Sequence, residues 1–195
     1  MGPSVLGAMC GSLADEASMS GAGVSWRGFP VRSSNEVIDE LEQWQFVLGE
    51  GPSHDAFSAG RVVEAGEADH ASWPMFAEFL KGAGQQSVFS FPLWSGDSCW
   101  GALTLYRTNT DPMTGAERMA ATRCAETSMT FLMSGLDDDF EPFELVQRAT
   151  GMVMGQLVVG ADEATTRIRA HAFSNRRQLR QVVDDILSGR LLLQP

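Results

Sequence analysis

Seven arginines and no lysine stand between residues 143 and 195: Arg148, Arg167, Arg169, Arg176, Arg177, Arg180 and Arg190. A guanidinium is always charged, grips phosphate through paired hydrogen bonds and can lie flat on a nucleobase. The first six are therefore candidate contacts to a nucleic-acid backbone, where cations displace bound counterions. Asn175, Gln156 and His171 lie among them and carry the donors and acceptors that read the edges of splayed bases. Gly151 permits close backbone approach, either to a neighbouring helix or to RNA. The competing reading is that all of these are the solvated faces of amphipathic helices. A DNA-binding helix-turn-helix is the nearest rival, with residues 174–177 as its turn. Against it, Asp184 and Asp185 lie on the face that would meet phosphate.

Other chemistries find less support in the residues. His54, His70 and His171 are scattered, and no HExxH, phosphate-binding glycine loop or GxSxG elbow is present. The sequence thus predicts no catalytic residues, no metal site and no cofactor. Cys10, Cys99 and Cys124 form no CxxC pair, and their odd number and wide spacing indicate reduced thiols. Asp137, Asp138 and Asp139 follow no buried strand end of the kind a phosphoacceptor needs, so they read as a solvated linker. Trp44, Phe46, Trp73, Phe89, Phe91 and Trp100 are candidate walls of a small-molecule pocket, although aromatics of this kind more often fill a core.

These residues need elements to hold them. Residues 4–17 read as a short helix, 23–27 as a strand, 35–45 as a helix, and 72–82 as a helix interrupted near Pro74. Residues 87–94 and 99–107 alternate as strands around the turn Ser95-Gly96-Asp97-Ser98, which makes an antiparallel hairpin. A long helix over 113–133 closes this part. The whole predicts an α+β fold, an antiparallel sheet with flanking helices, over residues 1–136. Residues 137–142 form an acidic linker. In residues 143–195, Phe143, Val146, Thr150, Val153 and Leu157 repeat at helical spacing. Ala164, Ile168 and Ala172 do the same in a second helix, and Leu179, Val182, Val183, Ile186 and Leu187 in a third. That is a small all-α three-helix module, too small to bury much alone.

Charge follows the same division. Residues 1–142 carry seven Lys and Arg against twenty Asp and Glu, net −13, whereas residues 143–195 carry seven Arg against five acids, net +2. Such asymmetry marks two parts with different partners. No apolar run approaches the roughly 18–20 residues of a membrane span, and no basic leader opens the chain. The expectation is a cytoplasmic protein with no membrane partner.

Two resemblances now enter. The stretch LEQWQFVLGEGPSHDAF, with WPMFAEFLKGAGQQSVFSFPLWSGDSCWGALTLYR, resembles a GAF domain of actinobacterial regulators. Its most specific pieces are Gly49-Glu50-Gly51-Pro52, Trp73-Pro74 and the hairpin. The stretch FELVQRATGMVMGQL, with ADEATTRIRAHAFSNRRQL and VVDDIL, resembles an ANTAR domain. Ala149, Gly151 and Met154, then Ala164, Ile168, Arg169 and Ala172, then Asn175-Arg176 and Leu179 carry that likeness.

The resemblance implies an RNA-binding transcription antitermination regulator. ANTAR modules hold paired stem-loops of a nascent transcript in a form that excludes a terminator, and a GAF sensor gates that activity. It further implies a homodimer and an unidentified small-molecule ligand at the GAF domain. The alternative is a ligand-sensing or protein-interaction module whose ANTAR-like part no longer binds nucleic acid. This sequence departs from the pattern at Val158, where related modules have Gly, and at Gly160, where they have a polar cap. The apolar tail Leu191-Leu192-Leu193 is also unusual, and its expected place is against a partner subunit.

Overall fold

The computed structural model describes residues 8, 10–12, 19–66, 71–134 and 141–194. Most of the helix expected over residues 4–17 lies outside them, as do Asp137, Asp138, Asp139 and His70. The chain divides into two compact units, Met1–Asp139 and Phe140–Pro195.

The first unit is built on a five-stranded antiparallel sheet in the order β2-β1-β5-β4-β3. Its strands are β1 (Gly21–Trp26), β2 (Phe29–Ser33), β3 (Val63–Ala65), β4 (Ser87–Ser95) and β5 (Ser98–Arg107). Two tight turns set the register. Arg27 and Gly28 both take positive φ, 51° and 81°, and join β1 to β2, the twist a two-residue hairpin favours. The predicted turn at residues 95–98 joins β4 to β5, with Ser95 facing Ser98. Pro30 sits in β2, an edge strand, where a missing N–H costs least.

The helices divide between the two faces. Beyond the helical residues 8 and 10–12, they are α1 (Glu36–Leu48), α2 (Pro52–Ala59), α3 (Pro74–Gly82) and α4 (Gly115–Ser134). On β5, Leu103, Leu105 and Arg107 point one way and Ala102, Thr104 and Tyr106 the other, by the strand's two-residue alternation. The Arg107 side faces α4: its Nη2 donates to Glu117 Oε1 at 2.6 Å, and its guanidinium lies 5.5 Å from the Phe89 ring centre. Glu117 also forms a reciprocal cap with Thr114, each accepting from the other's backbone N–H, at 2.7 and 3.2 Å. The opposite side faces α1 and α2, and both sides are buried. These six neighbouring β5 residues therefore pack on two layers, the pattern of a covered central strand.

The Gly49-Glu50-Gly51-Pro52 motif ties three helices together. Gly49 ends α1 in the left-handed region at φ 69°, its N–H donating to Gln45 O. Gly51 takes φ 131°, and a Cβ there would lie 2.4 Å from Gln45 Oε1. Pro52 opens α2 at its first position. Glu50 Oε1 accepts from the backbone N–H of both Met75 and Phe76, each at 2.8 Å. It thus caps α3 from a distance, where Trp73 offers no side-chain cap. The interruption expected near Pro74 is instead the start of α3.

Candidate nucleic-acid interface

The second unit consists of α5 (Glu141–Leu157), α6 (Ala161–Ser174) and α7 (Leu179–Leu187). Its core is the predicted one in outline. Val146, Ala149, Thr150 and Val153 from α5 are buried, as are Ala164, Ile168 and Ala172 from α6 and Leu179, Val182, Val183 and Ile186 from α7. Three alanines among these residues leave room for close helix packing, and the Thr150 and Thr165 hydroxyls meet at 3.5 Å.

The tail takes a different place from the one expected. Leu193 is buried within this unit, and its carbonyl accepts from Gln156 Nε2 at 2.7 Å. The tail therefore closes on α5 of its own chain, while Leu192 is exposed. Gln156 is correspondingly occupied as an anchor for that tail.

The arginines fall into two groups. Arg148, Arg176 and Arg180 are exposed and form no ion pair among the described residues. Arg167 pairs with Glu163 one turn earlier on α6, at 3.1 Å. Arg177 Nη2 donates to Asp185 Oδ2 at 2.5 Å, and Arg190 Nε donates to the other carboxylate oxygen at 2.8 Å. The hydrogen bonds from Arg177 and then Arg190 hold the Asp185 carboxyl below its usual range. Arg169 is half-buried, and that burial depresses its guanidinium.

The turn between α6 and α7 is tightly fastened. Asn175 Nδ2 donates to His171 O at 2.9 Å and to Ser174 Oγ at 3.2 Å, so its side chain completes the end of α6. Arg176 takes φ 50° and is exposed. His171 is half-buried. On α5, Gly151 is exposed, and a Cβ built on it would meet nothing within 4 Å. No helix of this unit therefore requires a glycine there. At the end of α5, Val158 takes φ 56° and is 90% exposed. A β-branched residue occupies the left-handed position that glycine fills at low cost.

In the first unit, the six aromatics are dispersed rather than gathered. Trp100 stacks on Trp26 at 5.3 Å, Phe46 meets Phe29 edge-on at 5.1 Å, and Trp44 stacks on Phe79 at 4.1 Å. Trp73 Nε1 donates to Asp55 at 3.0 Å, and Phe89 and Phe91 are buried on the α4 side of the sheet. A surface depression of about 520 Å³ lies between Ser20, the start of α1 and Gln85, and none of the six lines it.

Sequence reasoning missed a polar cluster under α1. Glu42 is buried and accepts from the Tyr106 hydroxyl at 2.6 Å and from Gln45 Nε2 at 3.2 Å. Gln45 also donates to the Tyr106 oxygen at 2.8 Å, while its own carbonyl accepts from Ser53 N–H at 2.8 Å. Gly23 makes room for the carboxylate arm, since a Cβ there would lie 2.6 Å from Glu42 Cγ. Burial raises the Glu42 carboxyl from 4.5 to about 7 and lifts the Tyr106 phenol well above its usual range. The signal in the sequence was Glu42 falling on the buried stripe of α1, with Ile38, Leu41 and Gln45. Among the described residues no cluster of acids, histidines and cysteines could hold a metal ion, and no helix is long and apolar enough to cross a membrane. The Cys99 thiol is raised by burial, away from nucleophilic reactivity.

Comparison with known proteins separates the two units. Residues 141–187 match the ANTAR domain. No curated protein matches the chain. Among solved structures, a domain assigned to a two-component sensor histidine kinase of Sinorhizobium meliloti 1021 is 15% identical, with a TM-score of 0.53. That match covers 67% of this chain and 89% of the other. The GAF domain region of a protein assigned to the membrane of Geobacter sulfurreducens PCA is 14% identical, with a TM-score of 0.47, covering 65% and 91%. Likeness at this distance concerns the fold alone. Residues 141–187 of this chain thus form an ANTAR domain, behind a five-stranded unit that shares its fold with the Sinorhizobium domain.

Proposed function

We propose that this protein is a transcription antitermination regulator whose C-terminal unit binds paired stem-loops in a nascent transcript and holds them in a form that excludes a terminator. The match of residues 141–187 to the ANTAR domain carries this reading. The exposed arginines Arg148, Arg176 and Arg180 support it, because their charge is not consumed by neighbouring carboxylates among the described residues. The open approach to Gly151 supports it as well. The protein acts as a homodimer in the cytoplasm, since two adjacent stems call for two modules presented together. The GAF-like unit gates the activity by changing how those modules are spaced, in response to a small molecule. No catalysis is involved.

A second reading draws on specific contacts. Arg177, Arg167, Gln156 and Asn175 all have partners within their own unit. A module with so many occupied polar groups suits a protein-interaction role in which RNA binding has been lost.

A gel-shift titration of the full chain separates the two. The RNA carries two adjacent short stem-loops, with a single-stem RNA and a duplex DNA as controls. The antitermination reading expects saturable binding that needs both stems and weakens as salt rises. Arg176→Ala and Arg180→Ala should each weaken binding and flatten its salt dependence, whereas Arg177→Ala should act chiefly on stability. Failure of a folded dimer to bind any of these RNAs would shift the assignment to the protein-interaction reading.

A further inference from the structure

The C-terminal unit leaves a few large apolar side chains in water, among them Met152, Val158, Phe173 and Leu192. Phe173 is the only aromatic of that group, 38% exposed in the last turn of α6. The buried stripe of α6 runs through Ala164, Ile168 and Ala172. Phe173 lies one residue beyond it, about 100° around the helix. The residue is partly covered and partly open to solvent.

The residues that follow it are polar and cationic. Arg176 N–H donates to Phe173 O at 3.1 Å, and Arg177 N–H donates to Ala172 O at 2.9 Å. The chain thus folds back directly after the aromatic residue. The Asn175 side chain fastens the same turn through His171 O and Ser174 Oγ. Arg176 follows at φ 50°, exposed and without an ion pair among the described residues. An L-residue in that region is strained, here at an arginine three residues after the exposed aromatic.

An exposed aromatic residue three positions before an exposed arginine, on a turn fixed by its own hydrogen bonds, suits one kind of ligand. An unpaired nucleotide supplies a base to stack on the ring and a phosphate for the cation. A duplex supplies no free base face, and an acidic peptide has no use for the ring. We propose that Phe173 is the stacking platform of the RNA interface, taking an unpaired base of the transcript while Arg176 engages the adjoining phosphate. The proposal rests on the RNA-binding reading above and adds the residue that meets the loop. Stacking tolerates any base, so Phe173 sets affinity for a loop rather than its sequence. With its amide tied into the turn, Asn175 supports the platform instead of reading the base.

The test uses the full chain, the two-stem RNA and 2-aminopurine placed at each loop position in turn. Phe173→Tyr keeps a flat ring, and Phe173→Leu keeps apolar bulk and helix propensity without one. Wild type and Phe173→Tyr should bind alike and quench 2-aminopurine at the same loop position. Phe173→Leu should lose roughly 5- to 100-fold in affinity, together with that quench. Retention of both by Phe173→Leu overturns the stacking role while leaving RNA binding intact. A loss that coincides with a smaller sedimenting mass of the free protein also overturns it, because Phe173 then serves a contact between subunits. Wild-type protein that binds none of the RNAs removes the RNA reading itself, a separate result.

Discussion

Glu42 is a carboxyl sealed between α1 and the sheet, with Tyr106, Gln45 and Thr104 as its neighbours and Asp39 as the nearest charge acting on it. No cation in that set favours its ionised form, so burial raises it to about 7. The consequence for stability has a definite sign. Below about pH 4.5 the carboxyl is protonated whether the chain is folded or not, and the native cluster is fully supported. Between about pH 4.5 and 7 the unfolded chain releases the proton that the folded chain retains, so stability falls as pH rises. Above pH 7 the full penalty is present, at most about 3 kcal/mol for a carboxyl raised from 4.5 to about 7. Glu42→Gln keeps a neutral acceptor in place. Its thermal midpoint should vary less between about pH 5 and 8 than that of the wild type, and should exceed it at pH 8. A pH profile parallel to the wild type would place the titration elsewhere. The candidate RNA residues show what is legible at this scale. Residue types alone marked the arginines, but Arg176 and Arg177 are adjacent and equivalent in the sequence. Only folding brings Asp185 to one of them and leaves the other exposed.

At the scale of elements, the hairpin β4–β5 and the long helices were readable because each repeats a strong period over several turns or pairs. The elements missed were those whose signal depends on position in the fold. β2 contains Pro30, which argues against a strand unless it lies at a sheet edge, and the edge is where β2 lies. β3 has three residues, too few for an alternation, and α2 has eight, between two glycines. Glu50 is likewise silent in the sequence: its role as a cap for α3 depends on a contact 25 or 26 residues away. Val158 is the reverse case, a local departure visible beforehand whose cost the fold makes explicit. It stands at φ 56° where α5 ends. Replacing it with glycine should remove about 1–2 kcal/mol of backbone strain, partly offset by about 0.4–1 kcal/mol of extra freedom in the unfolded chain. Val158→Gly should therefore stabilise the C-terminal helices by up to about 1.5 kcal/mol, seen as a higher denaturation midpoint by far-UV circular dichroism. A lower midpoint would mean that the valine side chain makes a stabilising contact outside its own unit.

At the scale of the whole molecule, two units of opposite charge are joined in one chain, net −13 before residue 143 and net +2 from there on. A chain of net charge −11 repels RNA at long range, so the proposed binding would rest on the few cations left exposed on the smaller unit. The larger unit holds something else that the smaller one lacks. Trp26, Trp44, Trp73, Trp94 and Trp100 account for all five tryptophans of the chain. Those of the stacked pairs sit against Trp26 or Phe79, and Trp94 lies against Gly60. Native tryptophan emission is consequently a private optical channel from the five-stranded unit, with no contribution from the C-terminal helices. If occupancy of the C-terminal unit is communicated to the sensor, titrating RNA should shift the wavelength or intensity of that emission without any dye or mutation. Emission that stays constant through saturation would show that the sensor is blind to what its neighbour holds.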